Sequence, residues 1–226
     1  MFDALLSIIA PHYCCNCGKI GRPLCDCCKK HIIDAQFNNC VLCRQKVKNN
    51  NICPKHQVFY DHLWCATYRK GAIAKLIDGY KFQRMQAVAT ELAEILDATL
   101  PELPDKAVLI PIPTPPKNIR QRGYDHMLLV AKKLAKRRQI DYACLLRRRT
   151  NTVQHFAKTL KERRKNAQNF FELHGKVDPE ITYIVMDDIL TTGSTINAAA
   201  KLLHQAGAKQ IDVAIIARHD KYYRHS

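Results

Sequence analysis

Apolar and polar positions follow two regimes along this chain. From residue 63 onward, short unbroken apolar runs alternate with stretches of helical period. Leu63 to Tyr68 is the first run, and helical spacing follows over Ala72 to Tyr80 and Gln86 to Ala98. Pro101 and Pro104 bracket a linker before the next run, Ala107-Val-Leu-Ile-Pro-Ile112. A helix is predicted over His126 to Arg138, a strand over Tyr183 to Met186, a helix over 195–206, and a last strand over Gln210 to Ile216. Runs without alternation suit strands covered on both faces. The Asn-Ala-Ala-Ala-Lys-Leu-Leu segment is a strong helix former, and Gly207 supplies the left-handed cap that stops it. Strand and helix in that rhythm predict an α/β fold with a parallel sheet.

Before residue 63 the rhythm is missing and cysteine takes its place. Nine of the eleven cysteines precede residue 54. They pair as Cys14-x-x-Cys17, Cys25-x-x-Cys28 and Cys40-x-x-Cys43, followed by Cys53-Pro-Lys-His56. Each pair can form a knuckle that brings two soft donors to one ion, and two knuckles complete a tetrahedral Zn²⁺ site. Taken in order they predict one Cys₄ and one Cys₃His site, a double zinc ribbon, although interleaved or single-ion arrangements satisfy the same spacing. Cys15 and Cys27 are expected to be spare thiols, and Cys65 and Cys144 small core residues. A disulfide framework is the competing explanation. It is disfavoured because Asp3 stands where a signal peptide would carry basic residues, and Phe2 to Ile9 is too short to span a membrane. A reducing, cytoplasmic location is therefore expected, where such pairs mean metal more often than disulfide. A redox role is the minor alternative. A segment of about sixty residues builds little core of its own, so the expected division is a metal-stabilised unit over 1–62 and an α/β domain over 63–226.

The net charge of +16 is unevenly placed. Between Lys117 and Lys165 there are sixteen basic residues, opposed only by Asp125, Asp141 and Glu162. Lys132, Lys133, Arg147, Arg148, Arg149, Arg163 and Arg164 belong to this set. A solvated face normally mixes signs, so the excess asks for a polyanionic partner, nucleic acid first, an anionic membrane surface or acidic protein second. Tyr124, Phe156, Phe170 and Phe171 are interspersed and can stack on exposed bases, which favours single strands. The plainer alternative makes these aromatics core and the charge an aid to solubility. No helix-turn-helix or RNA-recognition signature is present, so sequence-specific reading is not expected.

The densest chemistry lies in Tyr183-Ile-Val-Met-Asp-Asp-Ile-Leu-Thr-Thr-Gly-Ser-Thr195. It reads as a strand, a polar loop and the start of a helix. Backbone N–H groups and hydroxyls at a helix N-terminus hold a phosphate dianion, and Gly193 lets the backbone come close. Asp187 and Asp188 would repel a phosphate, and vicinal ribose hydroxyls are their natural partners. A purely structural turn needs neither two acids nor three threonines.

These residues resemble the signature of the type I phosphoribosyltransferases, four apolar residues followed by Asp-Asp-x-x-Thr-Thr-Gly-x-Thr. The resemblance implies a site for phosphoribosyl pyrophosphate (PRPP) with Mg²⁺. It sets Asp187 and Asp188 on the ribose and Thr191, Thr192, Gly193, Ser194 and Thr195 on the 5-phosphate. With the cysteine pairs in front, Val108-Leu-Ile-Pro-Ile-Pro113, Arg120-Gln-Arg-Gly-Tyr124, Thr152-Val-Gln154, Leu160, Arg164, Asn166 and Phe170 extend the likeness to essentially the whole chain. In this combination the chain is similar to the ComF family, which joins a zinc ribbon to a type I phosphoribosyltransferase-like parallel sheet and includes GntX-type proteins. That kinship implies a role in natural transformation, where incoming single-stranded DNA is handled in the cytoplasm, and a helicase-type protein partner. Two departures stand out. Asp125-His126 replaces the family's usual Asn-Gln, and either Arg163 or Arg164 matches the family arginine. Asp125 can weaken anion binding, help hold Mg²⁺, or simply cap the following helix.

Two functions from different classes fit. As an enzyme, the chain would hold PRPP–Mg²⁺ while Arg120 and Arg122 stabilise charge on the leaving pyrophosphate and an acceptor attacks C1. No stretch identifies that acceptor. As a binding module, the site would keep a phosphoribosyl ligand while the 117–165 surface carries single-stranded DNA. The charge excess and the family likeness favour the module.

Overall fold

The computed structural model describes residues 11–33, 39–43, 45–47, 52–149 and 170–219. In chain order the elements are α1 (Asp26–Ile33), β1 (His62–Tyr68), α2 (Gly71–Phe82), α3 (Val88–Thr99), β2 (Ala107–Pro111), α4 (Pro116–Arg122) and α5 (His126–Arg138). There follow β3 (Asp141–Tyr142), β4 (Leu146–Arg148), β5 (Phe171–Leu173), β6 (Thr182–Leu190), α6 (Ser194–Gln205) and β7 (Gln210–Arg218).

Five strands form one parallel sheet in the order β1-β7-β6-β2-β3. The interior strands β6 and β7 carry the longest apolar runs, as burial on both faces requires. The outermost strand β3 is two exposed residues long. That is too short to offer a free edge for pairing. On one face Ile184, Met186, Ala214 and Ile216 pack under α2, α3 and α5. On the other, Tyr183, Val185, Val213 and Ile215 pack under α6. Each fully buried Leu or Ile in these layers contributes about 1.5–3 kcal/mol.

Helix ends follow local chemistry. Asp125 caps α5 by accepting from Leu128 N. It also accepts from Thr114 N (3.0 Å) and Thr114 Oγ1 (2.8 Å), which ties the loop after β2 to the same carboxylate. Of the three uses weighed for Asp125, capping is present in the fold. α4 opens on Pro116 and closes at Gly123, whose φ of 88° is left-handed.

Chain connectivity locates the crevice. From β2 the chain continues to β3 on one side, whereas β6 continues to β7 on the other. The carboxyl ends of β2 and β6 therefore flank a topological switch point, where open α/β sheets bind ligands.

Several expectations are revised. The two acids lie inside a strand rather than in a loop, because β7 continues its ladder past them and pairs Asp187 with Ile215 and Leu190 with Arg218. The β4–β5 hairpin-like pair has three residues a strand, too few to show a period. Cys65 is core as expected, but Cys144 is exposed. Tyr124 and Phe171 are buried, so they are core rather than a base-stacking surface. Phe156, Thr152 to Gln154, Leu160, Arg163, Arg164 and Asn166 lie outside the described residues. No helix among the described residues is long and apolar enough to cross a membrane.

Candidate functional site

Strand geometry separates the adjacent acids. Successive side chains of a strand point to opposite faces, and the even positions of β6 face α2, α3 and α5. Asp188 accordingly meets Lys81 Nζ of α2 at 2.5 Å, and His126 Nε2 of α5 donates to the same Oδ2 at 2.7 Å. The Nδ1 side of that imidazole faces Thr114 Oγ1 at 2.6 Å and Arg122 Nη1 at 3.2 Å. Asp187 takes the opposite face and accepts from Asp188 N at 2.9 Å. Lys81 and Arg148 both act on it electrostatically, and Arg148 donates from Nε to Pro113 O at 2.7 Å.

Together these groups line a pocket of about 220 Å³ at the switch point, with Thr114, Asn118 and Thr195 completing the wall. Three basic side chains, Lys81, Arg122 and Arg148, share the pocket with the two acids. Their electrostatics diverge. Burial pushes Asp187 up to about 7, and the charge of Asp188 acts in the same direction. Burial also acts upward on Asp188, but the His126 hydrogen bond and the Lys81 charge outweigh it and hold that carboxyl well below its ordinary range. The two neighbouring carboxyls are thus shifted in opposite directions. The cation excess suits an anionic ligand with a hydroxyl-bearing part at Asp187.

Beyond β6 the chain turns through Thr191, Thr192 and Gly193 into α6. Gly193 caps that helix at φ 75°, and Thr192 Oγ1 lies 2.9 Å from Ser194 Oγ. Thr195 faces the acid pocket. Thr192, Gly193 and Ser194 instead line a second cleft of about 360 Å³, whose far wall is Lys55, His56 and Gln57. The proposed phosphate loop thus stands between two cavities.

The cysteines assemble as two groups, Cys14, Cys17, Cys25 and Cys28, and Cys40, Cys43, Cys53 and His56. Within each, the donor atoms lie within 4.8 Å of one another, so each could hold a metal ion. Cys15 and Cys27 stand outside both groups. The sulfurs of Cys17 and Cys25 are 3.6 Å apart and those of Cys43 and Cys53 3.4 Å. Both distances exceed a disulfide bond by more than an ångström. Burial alone would raise Cys14 and Cys40, yet backbone N–H groups, including those of Cys25 and Cys53, bring each thiol down to about 6. Thiolates are the metal-binding form.

Each group is built into a different part of the sheet. Cys14, Leu24 and Cys28 join the core under α3, and Arg22 and Lys29 pair with Glu91 and Glu94 of that helix. Lys29 and Glu91 are buried. Val41 and Tyr60 join the opposite core under α6.

The basic residues separate by exposure. Arg147 and Arg149 are exposed, and so are Lys132 and Lys133 on α5. Lys132 Nζ sits 6.0 Å from the ring centre of Tyr142, a partly exposed aromatic. Arg148, predicted with its neighbours as a surface cation, instead enters the acid pocket. Strand alternation in β4 turns it the other way. Arg120 is exposed and Arg122 buried, so only the second of the pair lines the pocket. Arg137 and Arg138 are engaged with Asp97. Sequence reasoning missed Lys81, Thr114 and Asn118 altogether, since none belongs to a motif; His126 was visible only as a departure from the family pattern.

Residues 129–226 match the family model of the phosphoribosyl transferase domain. Among curated relatives, the chain is 27% identical over 210 residues to "Competence protein F" of Haemophilus influenzae, covering 86% of this chain and 90% of that protein. It is 30% identical over 156 residues to "DNA utilization protein YhgH" of Escherichia coli O157:H7, covering 65% of this chain and 67% of that protein. To "Competence protein ComFC" of Streptococcus pneumoniae it is 26% identical over 210 residues, with 91% and 87% covered.

Proposed function

This chain belongs to the ComF family, and from that premise we propose that it binds PRPP or a related phosphoribosyl ligand and handles single-stranded DNA in natural transformation. The observation that carries the reading is the pocket at the carboxyl end of β6, which Asp187 and Asp188 line together with Thr195 and three cations. In this reading the acids divide the work. Asp187 accepts from the ribose hydroxyls and serves the Mg²⁺ carried with PRPP, while Asp188 holds Lys81 and His126 in place. Thr191, Thr192, Gly193, Ser194 and Thr195 receive the 5-phosphate at the N-terminus of α6. Lys81, Arg122 and Arg148 balance the pyrophosphate charge.

The exposed Arg147, Arg149, Lys132 and Lys133 are read as the surface that neutralises DNA phosphates, with Arg163 and Arg164 of the same basic stretch. Zn²⁺ is the ion this reading assigns to the two cysteine groups, because four soft donors per group suit its tetrahedral preference. There it would cross-link a segment with little core of its own, which is the basis for dividing the chain into a zinc ribbon over 1–62 and a phosphoribosyltransferase-like domain over 63–226. A cytoplasmic location and a helicase-type partner follow from kinship and belong to the same proposal.

The presence of Arg122 in the pocket favours one further reading, an active phosphoribosyltransferase in which Arg122 steadies the departing pyrophosphate. One experiment addresses both. Fluorescence anisotropy with labelled single-stranded DNA is measured at near-physiological salt, with and without PRPP–Mg²⁺ and against a duplex. Salt-sensitive binding that prefers the single strand is expected. Absence of binding to either form would sink the DNA assignment and turn attention to pyrophosphate release.

A further inference from the structure

We infer that the Cys40–His56 lobe acts as the buttress of the phosphate loop, with Leu42 as the positioning residue. Metal occupancy of this one group is thereby coupled to ligand affinity, a deepening that rests on reading residues 191–195 as the phosphate loop. Two links join lobe and loop, and a third joins the segment just after His56 to the first turn of α6. A Cβ placed on Gly193 would come within 2.9 Å of Leu42 Cδ2, so the knuckle between Cys40 and Cys43 sits directly on the one loop residue whose left-handed φ of 75° turns the chain into α6. Phe59 N donates to Asn197 Oδ1 at 3.0 Å, and Asn197 N donates to Gly193 O at 2.9 Å in the first turn of that helix. Arg218 Nη1 donates to Cys40 O at 3.1 Å, and Arg218 pairs in register with Leu190, the last residue before the loop. The pivot of the loop and its first end are therefore tied to the lobe, and the helix that follows to the segment just after it.

The lobe is anchored in the core under α6 by Val41, with Leu42 and Ile52 packed against it, and a metal ion would tie the rest of it together. Its regular backbone among the described residues is a single isolated bridge, Asn39 to Lys46. His56 Nε2 is buried without a hydrogen-bond partner, as a nitrogen reserved for an ion would be. A metal ion held by the group would keep the knuckle, and with it Leu42, in place against Gly193. The Cys14–Cys28 group makes its ionic anchors elsewhere, through Arg22 and Lys29 to Glu91 and Glu94 of α3. The two groups consequently have different jobs, one docking the segment and the other shaping the site. Linkage makes the coupling reciprocal, so a ligand on the loop must retain the metal by the same factor.

Hydrogen exchange of the 191–197 amides reads this coupling without any ligand, and calorimetry with PRPP–Mg²⁺ reads its consequence. The full chain is compared with Leu42→Ala, which keeps all four donors, with His56→Ala, and with Arg22→Ala at the other anchor. Leu42→Ala and His56→Ala are expected to speed loop exchange at least tenfold and weaken PRPP by a similar factor. Leu42→Met restores both, and Arg22→Ala leaves both at the parent value. Loop exchange unchanged in Leu42→Ala and His56→Ala would overturn the inference. If exchange responds but the parent fails to bind PRPP, the buttress stands and the PRPP reading falls.

Discussion

Replacing Asp188 by Asn tests whether that acid is an anchor rather than a ligand group. The side chains of Lys81 and Asp188 are 16% and 8% exposed, and His126 donates to the same oxygen. Removing one partner of a buried ion pair leaves the other charge without compensation, at a cost of about 3–5 kcal/mol. Against a total stability of about 5–15 kcal/mol, that loss is large. It corresponds to a fall in melting temperature of roughly 6–20 °C for a chain of this size. Asp187→Asn should behave oppositely. Among the described residues the pocket's ion pairs end on Asp188, and burial already pushes Asp187 up to about 7, so its loss should cost less than that of Asp188. Thermal melting followed by circular dichroism at pH 7, with metal retained, compares the two variants. The sign with pH is defined as well. A carboxyl held below its ordinary 3.8 contributes fully above that pH and loses its contribution as pH falls through the depressed value, so the gap between parent and Asp188→Asn narrows in acid. Adding Lys81→Met to Asp188→Asn removes the stranded charge and should recover much of the loss. Equal melting of parent and Asp188→Asn, or a larger loss in Asp187→Asn, would refute the anchor argument.

Reversing Arg147 and Arg149 to Glu should lower single-stranded DNA affinity and flatten its salt slope by about 0.7 per lost phosphate contact; Arg148→Ala should spare DNA and weaken PRPP instead, and titrations of each variant against both ligands decide it. If Asp187 must be ionised to accept from ribose, PRPP–Mg²⁺ affinity should rise as pH climbs through about 7. Calorimetry in buffers of different ionisation heat should then find a proton released from Asp187 on binding near neutrality. Proton release that persists unchanged in Asp187→Asn would assign the proton to another group.

The run from Tyr183 to Thr195 was legible because its chemistry is contiguous. Four apolar residues need two covered faces, and a glycine with flanking hydroxyls before an Ala-rich helix marks a turn into that helix, as β6 and α6 show. The grouping of the cysteines was legible for a similar reason, since a two-residue spacing brings both sulfurs of a pair to one side of a tight turn. Lys81 shows the limit. It stands at the end of an ordinary amphipathic helix, more than a hundred residues from Asp188, and nothing local distinguishes it from an exposed lysine. Tyr124 and Phe171 show a second limit, because an aromatic among basic residues reads the same whether it faces solvent or core.

The sequence by itself determined the strand–helix rhythm, the loop at Gly193 and the two sets of soft donors, all properties of short-range spacing. Only the tertiary structure decided which charges meet. The sheet order brings the ends of β2 and β6 together, and alternation along β6 sends Asp188 to Lys81 and His126 and Asp187 to the other face. Alternation along β4 likewise parts Arg148 from Arg147 and Arg149. The placement of Leu42 on Gly193 is of the same kind. Coulomb and packing energies depend on separation in space and on burial, and a chain reports neither until its distant segments are brought into contact.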